Sequence, residues 1–118
     1  MDIENLRDYC LSKKAVTEDF PFDEKTLVFR VGNKMFCLTN IDKPFKINLK
    51  CDPEKAINLR EEYDEITPGF HMNKMHWNTI DMNGMLTDEL IYDMIDDSYN
   101  LILVSLSRKT REQLGFDN

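Results

Sequence analysis

The chain has 118 residues, 42% of them hydrophobic, and a formal net charge of −7 from 22 acidic and 15 basic side chains. This length predicts one domain with a core of its own, and the composition excludes a disordered chain. The excess of acids excludes a uniformly basic surface for phosphate binding, although it does not exclude a local basic patch.

The first predicted element is a helix that begins after Asp2, whose carboxylate suits an N-cap. Ile3, Leu6 and Cys10 recur at helical spacing and form the apolar face of this helix. Pro21 then excludes helix in the segment that follows. The chain therefore leaves its first helix before it enters a sheet.

The clearest hairpin signal lies in residues 26–39. The β-prone runs 26–31 and 34–39 are separated by the two-residue turn Gly32-Asn33, which is typical of a tight antiparallel connection. The simplest register pairs Phe29 with Phe36 and Leu27 with Leu38 on the core face, with Val31 on the same side.

A third strand is predicted after Pro44, because Phe45, Ile47 and Leu49 alternate with polar residues. Residues 52–54 then predict the start of a second helix, since they supply an aspartate N-cap, a first-turn proline and an acid.

The last part of the chain predicts a strand over residues 77–82 and a turn at Asn83-Gly84. Met85-Leu86 could return as a short fifth strand. Thr87 is the expected N-cap of the last long helix, whose apolar stripe continues through the nearly uninterrupted apolar run 101–106.

These elements predict an α+β domain that comprises residues 1–118. Its order is α-β-β-β-α-β(-β)-α, and its short connections favour an antiparallel β-sheet with helices packed on one face.

The three cysteines and the hydropathy pattern bear on location. Cys10, Cys37 and Cys51 are odd in number, far apart and form no Cys-x-x-Cys pair, which predicts reduced thiols in a cytoplasmic protein. No run of about 18 apolar residues would span a bilayer, and the amino terminus lacks the pattern of a signal peptide. We therefore expect a cytoplasmic location and no membrane partner.

Several stretches, taken in order, resemble the YjbR/MmcQ family of small bacterial proteins. They are residues 17–22, 26–31, 48–54, 68–74, 76–79 and 97–99. The most specific part is Pro68-Gly69-Phe70-His71-Met72-Asn73-Lys74 followed by His76-Trp77-Asn78-Thr79. The match runs from about residue 1 to residue 112.

The resemblance implies a fold like that of bacterial frataxin (CyaY-like) and a DNA-binding role through a double-wing arrangement of hairpins. It implies no agreed catalytic residues, so the chain is expected not to be an enzyme and to need no cofactor. DNA is the expected partner, bound weakly and in a salt-dependent way.

Residues 68–80 hold both histidines, the only tryptophan, two asparagines and a lysine between a helix and a strand. Such a loop on a rigid scaffold is a common place for function. The candidate nucleic-acid site combines it with cations from the strands: Arg30, Lys46, Lys50, Asn73, Lys74, His76, Trp77 and Asn78. Lysines would hold phosphate, amides would position it and Trp77 would stack on a base. The plainer interpretation is a solvated sheet face with tryptophan in the core.

Other chemistries have less support. His71 and His76 could bind a metal with an acid, but their spacing on a loop does not define a site, and no metal site is predicted. Cys51 at the start of a helix could be activated, but no catalytic motif accompanies it, and no catalytic residues are predicted. The alternative to DNA binding is a module that binds a protein or a small ligand through the same loop.

Overall fold

The computed structural model describes residues 1–116, which form an α+β domain around a six-stranded antiparallel sheet of order β1-β2-β3-β4-β6-β5. The elements are α1 Ile3–Leu11, β1 Val16–Asp19, β2 Thr26–Val31, β3 Lys34–Asn40, β4 Lys46–Lys50, α2 Pro53–Glu62, β5 Ile66–Pro68, β6 Trp77–Asp81, α3 Asp88–Ser105 and α4 Arg108–Gln113. The predicted fold class and its order of helices and strands are confirmed.

Local signals set the helix boundaries as the sequence predicts. Asp2, Asp52 and Thr87 accept hydrogen bonds from backbone N–H groups in the first turns of α1, α2 and α3. These side chains satisfy donors that a helix start leaves unpaired. Within residues 1–116 no helix combines the length and apolar character needed to cross a bilayer.

One core lies between the sheet and the helices. Phe29, Ile47 and Ile80 from three strands and Ile95 from α3 are all fully buried in it. Residues of α1, α2 and α3 contribute to this same core, which defines the inner face of the sheet. The opposite face carries none of these three helices and is called the outer face below.

Both edge strands escaped prediction. β1 has four residues and β5 has three, so neither is long enough to show a clear alternation of apolar and polar residues. β1 is defined by its pairing with β2, and β5 by its pairing with β6. The short strand expected at Met85-Leu86 is not formed. The backbone N–H of Met85 instead donates to the Glu65 carboxylate at 2.7 Å, and its side chain is 91% exposed.

A β-bulge corrects the predicted hairpin register. Phe29 pairs with Cys37 rather than Phe36, and Leu27 pairs with Thr39 rather than Leu38, because the register shifts between Phe29 and Arg30. Two-residue alternation assumes an unbroken ladder, and a bulge inserts one extra residue. The three predicted core residues of β2 are nevertheless buried on the inner face.

Ser98 of α3 meets the sheet beside this bulge. Its hydroxyl donates to the carbonyl of Phe36 and accepts from the N–H of Lys50, with 2.9 Å between Ser98 Oγ and Lys50 N. A helix side chain thus satisfies backbone groups of two neighbouring strands that would otherwise be buried without partners. This contact fixes the end of β4 that leads to the candidate site.

Candidate functional site

Residues 69–76, called the central loop below, form a closed structure between β5 and β6. The backbone N–H of Gly69 donates to Trp77 O at 2.8 Å, and the N–H of Trp77 donates to Asn73 O at 3.0 Å. The N–H of Met72 donates back to Gly69 O at 3.3 Å. Because its ends are hydrogen-bonded to each other and its interior bonds to itself, the loop is an ordered platform.

Two predicted site residues hold this loop together. Asn73 Oδ1 accepts the backbone N–H of Met75 at 2.9 Å. Lys74 Nζ donates to Gly69 O at 3.0 Å, which ties the two halves of the loop. Both side chains therefore stabilise the loop, and the ammonium group of Lys74 lies at the loop next to Gly69 O.

Close approach and backbone conformation explain two further residues. A Cβ on Gly69 would lie 2.8 Å from Trp77 Cβ and 3.0 Å from Trp77 O, so only glycine fits against β6. His71 adopts a φ of 60°, a conformation that non-glycine residues rarely take. Strain of this kind concentrates at functional loops.

The loop presents apolar and aromatic groups to solvent. Phe70 is 66% exposed and Met75 is 63% exposed. The ring of Phe70 packs on that of His71, with 4.0 Å between the ring centroids. The N–H of Phe70 donates to Thr79 Oγ1 at 2.9 Å, and that hydroxyl donates to Asn48 Oδ1 on β4. The exposed ring is therefore anchored to the outer face.

Basic residues from three elements lie where β4 and β6 meet the central loop. Lys50 lies opposite Trp77 in the β4–β6 ladder, and strand alternation puts both side chains on the outer face. Arg60 of α2 donates from Nη1 to the carbonyl of Lys74 at 3.3 Å. The N–H of Cys51 donates to His76 O at 2.8 Å, which joins the end of β4 to the loop. Lys50, Arg60, Lys74 and Trp77 are called the basic corner below.

Two other predicted site residues, Arg30 and Lys46, lie elsewhere or are already engaged. Arg30 shares the outer face but pairs with Asp19 at 3.2 Å and also donates to Asn33 O. Lys46 is exposed opposite Asp81, at the other end of β4 and about 13 Å along the strand from Lys50. Neither belongs to the basic corner.

Asn78 requires a correction. Its side chain is 2% exposed and lies on the inner face, with Nδ2 3.5 Å from the carbonyl of Ala56 in α2. It cannot contact a ligand on the outer face in this conformation. The signal was present in the sequence, because Asn78 and the apolar Ile80 are two residues apart and must share a face.

Arg60 and Phe70 are the candidate residues that the sequence prediction omitted. Phe70 stood inside the segment singled out, so its exposure on a loop could have been proposed. Arg60 had no local signal, because only the packing of α2 beside the loop brings its guanidinium to Lys74. His76 is half-buried, and its backbone carbonyl binds Cys51.

Negative charge is concentrated on the helical side. α3 carries five acids, Asp88, Glu89, Asp93, Asp96 and Asp97. Lys13 pairs with Asp96 at 2.5 Å and Lys55 pairs with Asp97, so only part of this charge is neutralised locally. Within residues 1–116, Lys50 of the basic corner forms no such ion pair. These five acids belong to α3, which packs against the inner face.

The geometry offers little for metal or nucleophilic chemistry. No group of three or more His, Cys, Asp or Glu side chains in the described part of the chain is arranged to hold a metal ion. The three cysteines are free and buried. Burial raises the pKa of the Cys51 thiol, which lowers its thiolate fraction at neutral pH.

The fold and site define a small α+β domain with three helices, α1, α2 and α3, on one face of the sheet and an ordered loop at one corner. The family model described as YjbR matches residues 11–101, so the chain belongs to the YjbR family. Protein YbdF of Escherichia coli O157:H7 is 36% identical over 97 residues, which cover 80% of this chain and 79% of that protein.

Protein YjbR of Escherichia coli strain K12 is similar over nearly the full length, with 30% identity over 115 residues that cover 97% of this chain and 98% of that protein. The crystal structure of Deinococcus radiodurans protein DR2400, domain DUF419, has a TM-score of 0.90 at 36% identity, covering 98% of this chain and 88% of that chain. A Pseudomonas syringae protein has a TM-score of 0.73 at 31% identity, covering 86% and 98%.

Proposed function

We propose that the protein is a non-catalytic binding protein for single-stranded DNA, which it contacts through the basic corner and the central loop. The observation that carries this proposal is the meeting of three basic residues at one end of β4: Lys50 lies opposite Trp77, Lys74 binds Gly69 O within the central loop, and Arg60 donates to the carbonyl of Lys74. Cations that follow a phosphate backbone beside aromatic rings are the usual arrangement for unpaired strands.

A single strand fits this corner better than a duplex. The exposed ring of Phe70 and the half-buried Trp77 can stack only on bases that are free of their own partners. Helices α1, α2 and α3 all pack on the inner face, so none of these three is placed to enter a major groove from the outer face, which is how duplex readers commonly recognise sequence. Stacking on π faces tolerates any base, so recognition is expected to depend little on sequence.

The number of cations sets the expected salt dependence. About three phosphates contacted on a single strand predict that the logarithm of the association constant falls with a slope of about −2 against the logarithm of salt concentration. Affinity should therefore be modest. The overall charge of −7 lowers it further by long-range repulsion.

Fluorescence anisotropy with a labelled oligothymidine tests the proposal at two salt concentrations. Lys50→Gln should weaken binding several-fold and make the salt slope shallower by about 0.7, because one phosphate contact is lost. Lys46→Gln is the matched control on the same strand and should leave binding unchanged. Binding that ignores salt, or that Lys46→Gln weakens as much as Lys50→Gln, contradicts the proposal.

The exposure of Phe70 and Met75 favours a second candidate, a protein partner that docks on the central loop. Large apolar side chains held on an ordered loop resemble the anchors of protein interfaces. The same variants separate the two. Phe70→Ser should weaken both kinds of binding, whereas Lys50→Gln should weaken DNA binding and leave a protein complex formed by apolar contacts intact.

A further inference from the structure

A second surface lies on the helical side, away from the central loop. Between the start of α2 and the middle of α3 is an open groove of about 350 Å³. Its polar lining includes Cys51, Asp52, Lys55 and Asp97, and its apolar lining includes Leu101 and Val104. Val104 is 71% exposed at the edge of this groove.

A small cavity of about 10 Å³ adjoins the groove, and Cys51 and Asp97 line both. Asn78 lines the cavity from β6, and its Oδ1 has no hydrogen-bond partner among residues 1–116. A buried acceptor without a donor lowers the stability of the fold, so a donor that reaches Asn78 Oδ1 would be stabilised there. The cavity has room for about one water-sized group, its lining is mostly apolar, and Asn78 and Asp97 are the side chains with acceptor oxygens among the described residues that line it.

The charges around the groove favour a cation. Asp52 and Asp97 supply two carboxylates, while Lys55 is the one basic residue of the described chain that lines it, and it pairs with Asp97. The start of α2 does not attract anions, because Asp52 already caps it at 3.1 Å from Lys55 N and Pro53 has no N–H to offer.

We propose that this groove binds a small primary amine on a short apolar chain. Its ammonium would enter the cavity and donate to Asn78 Oδ1 and Asp97, and its chain would lie along Leu101 and Val104. Lys55 already places an ammonium against Asp97. With its side chain 53% exposed, Lys55 can move into solvent and yield that position to the ligand.

The test uses hexylammonium as the probe at neutral pH, with hexanol and hexanoate as probes of the same chain length. Titrations followed by backbone amide NMR shifts should saturate for hexylammonium at residues lining the groove, with weaker effects from hexanol and none from hexanoate. Equal shifts from hexylammonium and hexanol, or no saturable shift from hexylammonium, overturn the proposal and leave an ordered water as the partner of Asn78.

Three variants locate the site. Asn78→Leu and Asp97→Asn should each weaken hexylammonium binding by about tenfold, the effect of losing one charge-assisted hydrogen bond. Lys55→Gln should tighten binding, because it removes the internal competitor for Asp97. Lys25→Gln, which breaks an exposed Lys25–Asp42 ion pair elsewhere, is the control and should change nothing.

Unchanged affinity in a folded Asn78→Leu protein rejects the assignment. If Asn78→Leu does not fold, Asp97→Asn decides, since Asp97 is partly exposed at the rim and its loss is tolerable. Oligothymidine binding in Asp97→Asn should remain at the wild-type level, so this site and the basic corner succeed or fail separately.

Discussion

The two faces of the sheet are built on different principles. On the inner face, Phe29, Ile47 and Ile80 are fully buried against the helices, so burial of apolar surface provides the stability. On the outer face, Asn48, Thr79 and the N–H of Phe70 form a chain of hydrogen bonds that ends at an exposed aromatic ring. The comparison teaches that the inner face holds the core that sets the fold, while the outer face holds polar side chains in place by hydrogen bonds.

The largest expected effect tests the inner face. Phe29→Ala should lower the free energy of unfolding by about 3–5 kcal/mol, because it removes a large side chain from a packed core and leaves a cavity. Urea denaturation measures the change. Phe70→Ala on the outer loop is the matched control and should cost less than about 0.5 kcal/mol. Equal losses for the two would remove the distinction between the faces.

An intermediate loss of stability is expected when the hydroxyl of Ser98, which binds two strands from the inner face, is removed. Ser98→Ala should cost about 1–3 kcal/mol, because Lys50 N and Phe36 O would lose their shared partner in a buried place. The hydroxyl of Ser105, near the exposed end of the same helix, donates to Ile102 O and accepts from the exposed Lys34 Nζ at 3.3 Å, so Ser105→Ala should have a much smaller effect. A negligible change in the free energy of unfolding of Ser98→Ala would show that Lys50 N and Phe36 O find other hydrogen-bond partners.

The smallest expected effect concerns the backbone of the central loop. His71→Val should lower the free energy of unfolding by about 1 kcal/mol, because a β-branched residue tolerates a positive φ poorly. His71→Asn, which tolerates this conformation, should be close to wild type. Thermal unfolding of both variants provides the measurement, and equal stabilities would mean that the loop relaxes without cost.

Polar residues on the inner face show what alternation can and cannot predict. Asn78 shares a strand face with Ile80, so its burial followed from period-two geometry and could have been foreseen. The missing hydrogen-bond partner of Asn78 Oδ1 within residues 1–116 could not have been foreseen from strand geometry. The groups around this side chain, Ala56 and the lining of the cavity, are supplied in part by α2 and α3. Ser98 lies on the predicted apolar stripe of α3. Its hydrogen bonds to Phe36 and Lys50 on two strands lie beside the register shift between β2 and β3, which periodicity does not predict.

The candidate site was foreseen in part. Lys50 lies opposite Trp77 because β4 pairs with β6, and Lys74 binds Gly69 O within the loop that precedes β6, while their shared role in binding stays a prediction. Arg30 and Lys46 stay apart from them because strand register and the pairing with Asp19 fix their positions. Arg60 joins the site only through helix packing.

By itself the sequence determined the three long helices, the central hairpin, the faces of β2, β4 and β6 and the family, because caps, turns and periodicity act over a few neighbouring residues. The prediction for β3 was wrong at Leu38, which pairs with Val28 and not with the core residues of β2. Tertiary structure alone decided the two edge strands, the bulge and which charges meet at the basic corner. These features depend on contacts between segments far apart in the chain. Local sequence patterns predict neither the geometry of such contacts nor the entropy lost in forming them.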